Sequence, residues 1–177
     1  MKGWSLLALA GTAGHHCFER WAGVGMVLEP FLGRRRTNLF WTAIFSWWLT
    51  EALTGREGAG AWRAWGAGMS VAGAAVHFAD WPWSLKWGFL PWLDAAEGLT
   101  PERVPAYNTI LWVWLVGGVA SGLGETERGD RRWLLLGLAT APGLRASARH
   151  HFAWAREQAR RDPESWSPEL LHQGPPR

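Results

Sequence analysis

The chain has few of the residues that usually announce a function. Among its 177 residues there is one Cys, Cys17, which excludes an internal disulfide and leaves the redox compartment open. Of its 18 basic residues only Lys2 and Lys86 are Lys, so 16 are Arg. These do not form one stripe but fall between apolar stretches and towards the C-terminus, which argues against a nucleic-acid surface. No Walker loop, no GxGxxG after a strand, no CxxC pair, no HExxH and no internal repeat occurs. Nucleotide-binding, dithiol and histidine-motif metalloprotease classes are thereby set aside.

What the chain has is tryptophan: 16 residues, within a composition that is 48% hydrophobic and carries a net charge of +3. Trp concentrates where a bilayer meets water, so a Trp-rich chain with apolar runs reads as a membrane protein. The mean hydropathy of −0.11 looks soluble only because Trp scores as mildly polar and Arg dilutes the average. The length suits one domain. Lys2 followed by "SLLALAG" has the outline of a short signal peptide, but the stretch reads better as the start of a first span.

Five apolar segments follow: 4–32, 37–55 with Thr37 as N-cap, 61–81, 104–123 with Pro105 in its first turn, and 131–154. The uninterrupted apolar part of the last is only 133–144, which suits a re-entrant or interfacial piece as well as a span. The expected fold is therefore all-α, a polytopic membrane bundle of four to five transmembrane helices over residues 1–155, with no β-sheet. Residues 82–103, rich in Trp and turn formers, are expected at the interface as a lid, and 156–177 as a polar, partly disordered tail. The Arg34–Arg36 cluster is assigned to the first loop; together with Arg156, Arg160 and Arg161 it would face the cytoplasm in a five-span topology, whereas Arg131 and Arg132 oppose that topology. The setting expected is a bacterial inner membrane.

Polar residues inside these segments are the functional signal, since a charged side chain at a helix centre costs roughly 2.5–3.5 kcal/mol. On a helix, His15 and Glu19 share one face, and His16 and Arg20 another about 100° away. Arg20 must find an acidic or backbone partner or reach water, with Glu51 and Asp80 the candidate acids. Gly66, Ser70, Gly73 and His77 form a small-residue face that ends near Asp80, and Asn108 and Trp112 are four apart. Blander readings stand beside these. Glu51 and Asp80 lie near helix ends and can snorkel; Asn108 can be interhelical glue. Trp47, Trp48, Trp81 and Trp83 suit an interfacial belt, and His150 and His151 a solvated helix end. His15, Glu19, His77 and Asp80 offer nitrogen and oxygen donors, but HxxxE and HxxD are unspecific spacings, so neither metal nor cofactor is expected. Buried acid and base groups beside Trp faces suit proton transfer on a lipid-soluble substrate, with the aromatic faces stabilising a cation.

The order of these motifs resembles the emopamil-binding-protein family (the EXPERA domain), small membrane proteins that include a sterol isomerase and the sigma-2 receptor. The resemblance rests on His15-His16-Cys17-Phe18-Glu19, on "TEALTG" with Glu51 and Thr54, and on "AYNTILW" with Asn108 and Trp112, within residues 11–123. It implies a cavity for a membrane lipid or an isoprenoid- or sterol-like molecule. It implies that His15, Glu19 and Glu51 are catalytic in double-bond isomerisation or cyclisation, that Asn108 orients the carboxylates, and that Trp112 faces the carbocation. His77 and Asp80 are expected to line the binding site. The rival readings are a non-catalytic accessory subunit of a membrane complex, with homo-oligomers also in view, and a transporter, for which no inverted repeat is visible.

Overall fold

The computed structural model describes residues 2–55 and 58–172. It is mostly helical, at 73%. Helix α1 runs Gly3–Trp21, α2 Glu29–Thr54 and α3 Gly60–Asp80. A hairpin of β1 (Trp83–Lys86) and β2 (Leu90–Leu93) follows. Then come α4 Val104–Gly124, a 3-10 turn at Arg128–Asp130, α5 Arg131–Leu138, α6 Ala141–Arg161 and α7 Glu169–His172.

Local chemistry accounts for the boundaries. The free amides at the start of α1 are taken by the Glu125 carboxylate at the end of α4, which accepts Trp4 N–H and Ser5 N–H at 2.9 Å each and Ser5 Oγ–H at 2.7 Å. At the other end, Gly23 and Gly25 have φ of 78° and 88°, which residues with a Cβ rarely adopt. They stop α1 at Trp21, so the expected single segment 4–32 divides in two. Glu29 and Pro30 then start α2 eight residues before the expected N-cap, and Thr37 lies buried inside a helix. Arg34–Arg36 consequently lie on the exposed side of α2, beyond a kink at Gly33, and not in a loop. Helices α3 and α4 match the expected segments, with Pro105 in the first turn of α4.

The expected segment 131–154 breaks at Ala139–Thr140, and Pro142 in the next first turn opens α6. Helix α6 crosses residue 155 and continues to Arg161. Of the expected tail, residues 156–172 form the end of α6, a connecting stretch and α7. Ser167 donates to the Gly98 carbonyl at 2.7 Å, and Leu170 is buried. Residues 173–177 of that tail lie outside the described residues.

The expectation of no paired strands is overturned by the hairpin. Trp83 pairs antiparallel with Leu93 and Lys86 with Leu90. Trp87 and Gly88, at φ 55° and 82°, turn the chain between the strands. Short runs of bulky residues around a Trp-Gly turn read equally well as an irregular interfacial loop, and the pairing depends on help from α4. Asn108, fully buried, accepts the Leu93 amide at 2.8 Å and donates to the Leu93 carbonyl at 3.0 Å. Trp112 donates to the Pro91 carbonyl at 2.9 Å.

Helix α1 packs most closely on α4, and α3 on α4 and α5. A Cβ added at Gly11 would sit 2.3 Å from the Trp114 backbone, and one at Gly117 would sit 2.4 Å from Ala8 N. Only glycine permits that backbone-to-backbone approach. Helix α2 touches α1 and α3 far less and leaves a space between them. Among the described residues one helix, α4, is long and apolar enough to cross a membrane. The other long helices carry the polar residues that line that space. Many large apolar side chains are exposed away from that space, including Phe31, Leu39, Leu49, Leu53, Val116, Val119 and Leu123.

Candidate functional site

The space between α1, α2, α3 and α6 is a cavity of about 590 Å³, with largely apolar walls. On α3 its lining runs from Trp62 to Asp80, a rise of about 27 Å at 1.5 Å per residue. Indole and imidazole rings are prominent in the wall, with Trp41, Trp48, Trp65, Trp81 and Trp114 beside His15, His16, His77 and His151. The four small and polar residues expected on one face of α3 (Gly66, Ser70, Gly73 and His77) all line it. Their smallness admits rings as well as helices: a Cβ at Gly66 would meet only the Trp48 ring, and one at Gly73 would strike the Trp114 ring at 2.5 Å.

The polar centre lies on α1. His15 and Glu19, one helical turn apart, are both buried, with Nε2 to Oε2 at 3.5 Å. The Tyr107 hydroxyl of α4 donates to Glu19 Oε1 at 2.7 Å, so one carboxylate oxygen is held and the other faces His15. His15 stacks on Trp114 at 4.9 Å between ring centroids and meets the edge of His77 at 4.8 Å. His77 is fixed in turn: its Nδ1 lies 2.7 Å from the Gly73 carbonyl, which can only accept, so Nδ1 carries the proton and Nε2 the lone pair. His16 is held in the same way by the Thr12 carbonyl at 2.8 Å, and its ring lies against Trp41 at 4.1 Å. His15 has no such anchor, and its Nδ1 is buried without a hydrogen-bond partner.

The remaining expected residues are distributed otherwise. Glu51 is buried and lines the cavity, but it does not assist the pair. Trp41 marks the level of His16, and Glu51 lies ten residues further along α2, about 15 Å away. Asp80 also lines the cavity, but it is clamped by Arg145 Nε at 2.7 Å and Arg149 Nη2 at 3.0 Å. Neither acid pairs with Arg20, which instead binds Glu29 and donates to Asn38 Oδ1 at 2.7 Å. The signal missed was the Glu29-Pro30 helix start, which brings an acid back beside the end of α1. Asn108 and Trp112 bond to the hairpin instead of facing the His15–Glu19 pair; on α4 the residues that contact the pair are Tyr107 and Trp114. They lie seven apart, with Leu111 between them, on the buried face of α4, a helical stripe that was present in the sequence.

Two further readings change. Trp48 and Trp81 line the cavity, while Trp83 faces outward at 47% exposure. His150 stacks on Phe31, but His151 is buried against the Val24 carbonyl at 3.1 Å and lines the cavity. Burial lowers the His151 pKa to about 4; the Val24 bond opposes the shift, and the nearby Arg20 and His150 charges add to it. Outside the helices that line the cavity, Glu97 sits beside Arg156. Burial pushes its carboxyl above the usual range, and the guanidinium pulls it part of the way back.

Chemically the arrangement offers a buried carboxylate, an imidazole without a fixed tautomer and a phenol in line, beside aromatic faces suited to a developing cation. No family model, no curated protein and no solved structure matches the chain.

Proposed function

We propose that the chain is a multi-pass membrane protein that binds an elongated isoprenoid- or sterol-like lipid and shifts a double bond within it by proton transfer. The observation that carries this reading is the buried Tyr107–Glu19–His15 array at the wall of a long aromatic cavity. Helices α1 to α4 form the spans. Large Leu, Phe, Val and Trp side chains stand exposed along these helices, which suits a lipid-facing surface. The ionisable groups His15, Glu19, Glu51, His77 and Asp80 turn inward, as the cost of a charge in hydrocarbon demands, while Arg34–Arg36 stay exposed near the start of α2, where they can reach the membrane surface. Helix α6, which has Arg along much of its length, lies outside the spans. The hairpin, with open strand edges and an exposed β1, belongs at the membrane–water interface, where water pairs its outward backbone groups.

The proposed step is balanced. A protonated His15–Glu19 pair donates to one carbon of a double bond, leaving positive charge on its neighbour against the Trp114 and Trp81 faces. The same pair then removes a proton from the next carbon, and the double bond has moved with no net change in protons. This use of His15 and Glu19 accords with the resemblance described above, with Tyr107 and Trp114 in the supporting places. The cavity also favours it over the accessory-subunit reading, in which the polar groups would face a partner and the interior would be filled.

The experiment is to identify by mass spectrometry the lipids that co-purify with the chain, and to incubate them with the protein in D₂O. Deuterium entering one bound lipid at an allylic carbon is expected. Lipids that remain unlabelled and unisomerised would overturn the catalytic part of the proposal.

A further inference from the structure

We infer that His15, Glu19 and His77 hold one first-row divalent metal ion, of the zinc or ferrous-iron class, at the inner wall of the cavity. One ligand atom from each of the three lies within 4.8 Å of the others. Two ligands at a tetrahedral angle about a zinc-sized ion are about 3.3 Å apart. The His15–Glu19 separation of 3.5 Å is already close to that. Bringing in His77 takes a movement of about 1.5 Å, within the reach of side-chain rotation.

Two of the three ligands already have the outer hydrogen bonds that a metal site requires. His77 Nδ1 donates to the Gly73 carbonyl, which fixes the tautomer that leaves Nε2 free to ligate. Tyr107 holds one oxygen of Glu19 and leaves the other available. His16, His77 and His151 each have one ring nitrogen on a backbone carbonyl. His15 alone among these cavity imidazoles has none, though it is 94% buried. Its Nε2, facing Glu19 at 3.5 Å, is the ring atom placed to ligate, and no backbone bond has to break to bring it onto an ion. Two imidazoles and one carboxylate leave the other coordination positions facing the apolar cavity, an arrangement that suits iron or zinc and not magnesium or calcium. His15 and Glu19 ligate an ion only when deprotonated, so the metal-bound state and the proton-relaying state of the pair exclude each other. The inference therefore goes beyond the direct relay and is tested apart from it.

The test uses the full, untagged chain in detergent, stripped with a chelator and titrated with Zn²⁺ and with Co²⁺. The readouts are metal analysis and the visible spectrum of bound Co²⁺. One ion per chain is expected, with a Co²⁺ spectrum of low-symmetry nitrogen and oxygen ligation. Binding should persist in His16→Gln and weaken at least about 100-fold in His77→Ala. No saturable binding to the wild-type chain, or binding undiminished in His77→Ala, would overturn it. The wild-type stoichiometry and spectrum decide the matter even if a variant fails to fold. A stripped chain that never binds metal yet isomerises its lipid sinks this inference and leaves the direct relay standing. A chain that binds metal but transforms no lipid does the reverse.

Discussion

Helix α1 meets its two neighbours in opposite ways. Towards α4 the backbones touch through Gly11 and Gly117, and the Glu125 carboxylate locks the helix start. Towards α2 it touches mainly through rings, His16 on Trp41 and Phe45, and the cavity opens beside them. The closed side positions the site, because Tyr107 and Trp114 reach Glu19 and His15 only if α1 and α4 keep their register. On the proposed function, the open side takes the ligand. Rigidity and access are thus divided between two faces of one helix, and each face can be perturbed alone.

The largest expected effect falls on the chemistry where the two sides meet. Glu19→Gln keeps the shape and a hydrogen bond to Tyr107 but removes the titrating proton. Turnover should fall by about 10²- to 10⁴-fold, roughly 3–5 kcal/mol of barrier, with ligand affinity unchanged within about tenfold. Lipid isomerisation and equilibrium binding, measured on the same preparation, check the split.

On the open side, His151 of α6 links the cavity wall to the loop after α1. Its pKa, about 4 against an ordinary 6.5, means the folded chain binds fewer protons than the unfolded one. The stability it contributes is full above pH 6.5 and is lost as the pH falls towards 4, about 3 kcal/mol in all. Thermal unfolding across that window should flatten in His151→Gln. An identical slope in the variant would assign the loss elsewhere.

The glycines divide the two sides most sharply. Gly11→Ala forces a methyl into the Trp114 backbone and should destabilise the chain by about 1–3 kcal/mol. Gly66→Ala meets only the edge of the movable Trp48 ring and should stay within about 0.5 kcal/mol of wild type. Equal costs at both positions would dissolve the distinction. Smaller in its reach is Asn108→Ala, which strands the Leu93 amide and carbonyl. It should cost about 1–3 kcal/mol and loosen the hairpin while sparing the His15–Glu19 chemistry. Amide exchange confined to residues 83–93 would be the sign.

The sequence made some of this legible and not the rest, for reasons that lie in particular residues. Helices α3 and α4 were readable because each is one apolar run with clear ends. The convergence of His15, Glu19 and His77 followed from the cost of polar groups in apolar segments, which turns all of them inward. The failure at Asn108 and Trp112 has the same geometric root as the success. Spacing by four says that two residues share a face, not which neighbour that face meets. On α4 the Tyr107–Leu111–Trp114 stripe meets α1, and the stripe one residue on meets the hairpin. Partners such as Arg20–Glu29, or His151 on Val24, depend on loops whose paths are set by positive-φ glycines, and no helical periodicity reports those paths.

The central claim is that the open side of α1 holds one specific lipid. Native mass spectrometry of the purified chain beside Gly66→Leu, which fills the cavity under Trp48, tests it most directly. The account predicts about one isoprenoid- or sterol-like molecule per wild-type chain and its loss from the equally folded variant. Only bulk phospholipid, retained alike by both chains, would contradict it.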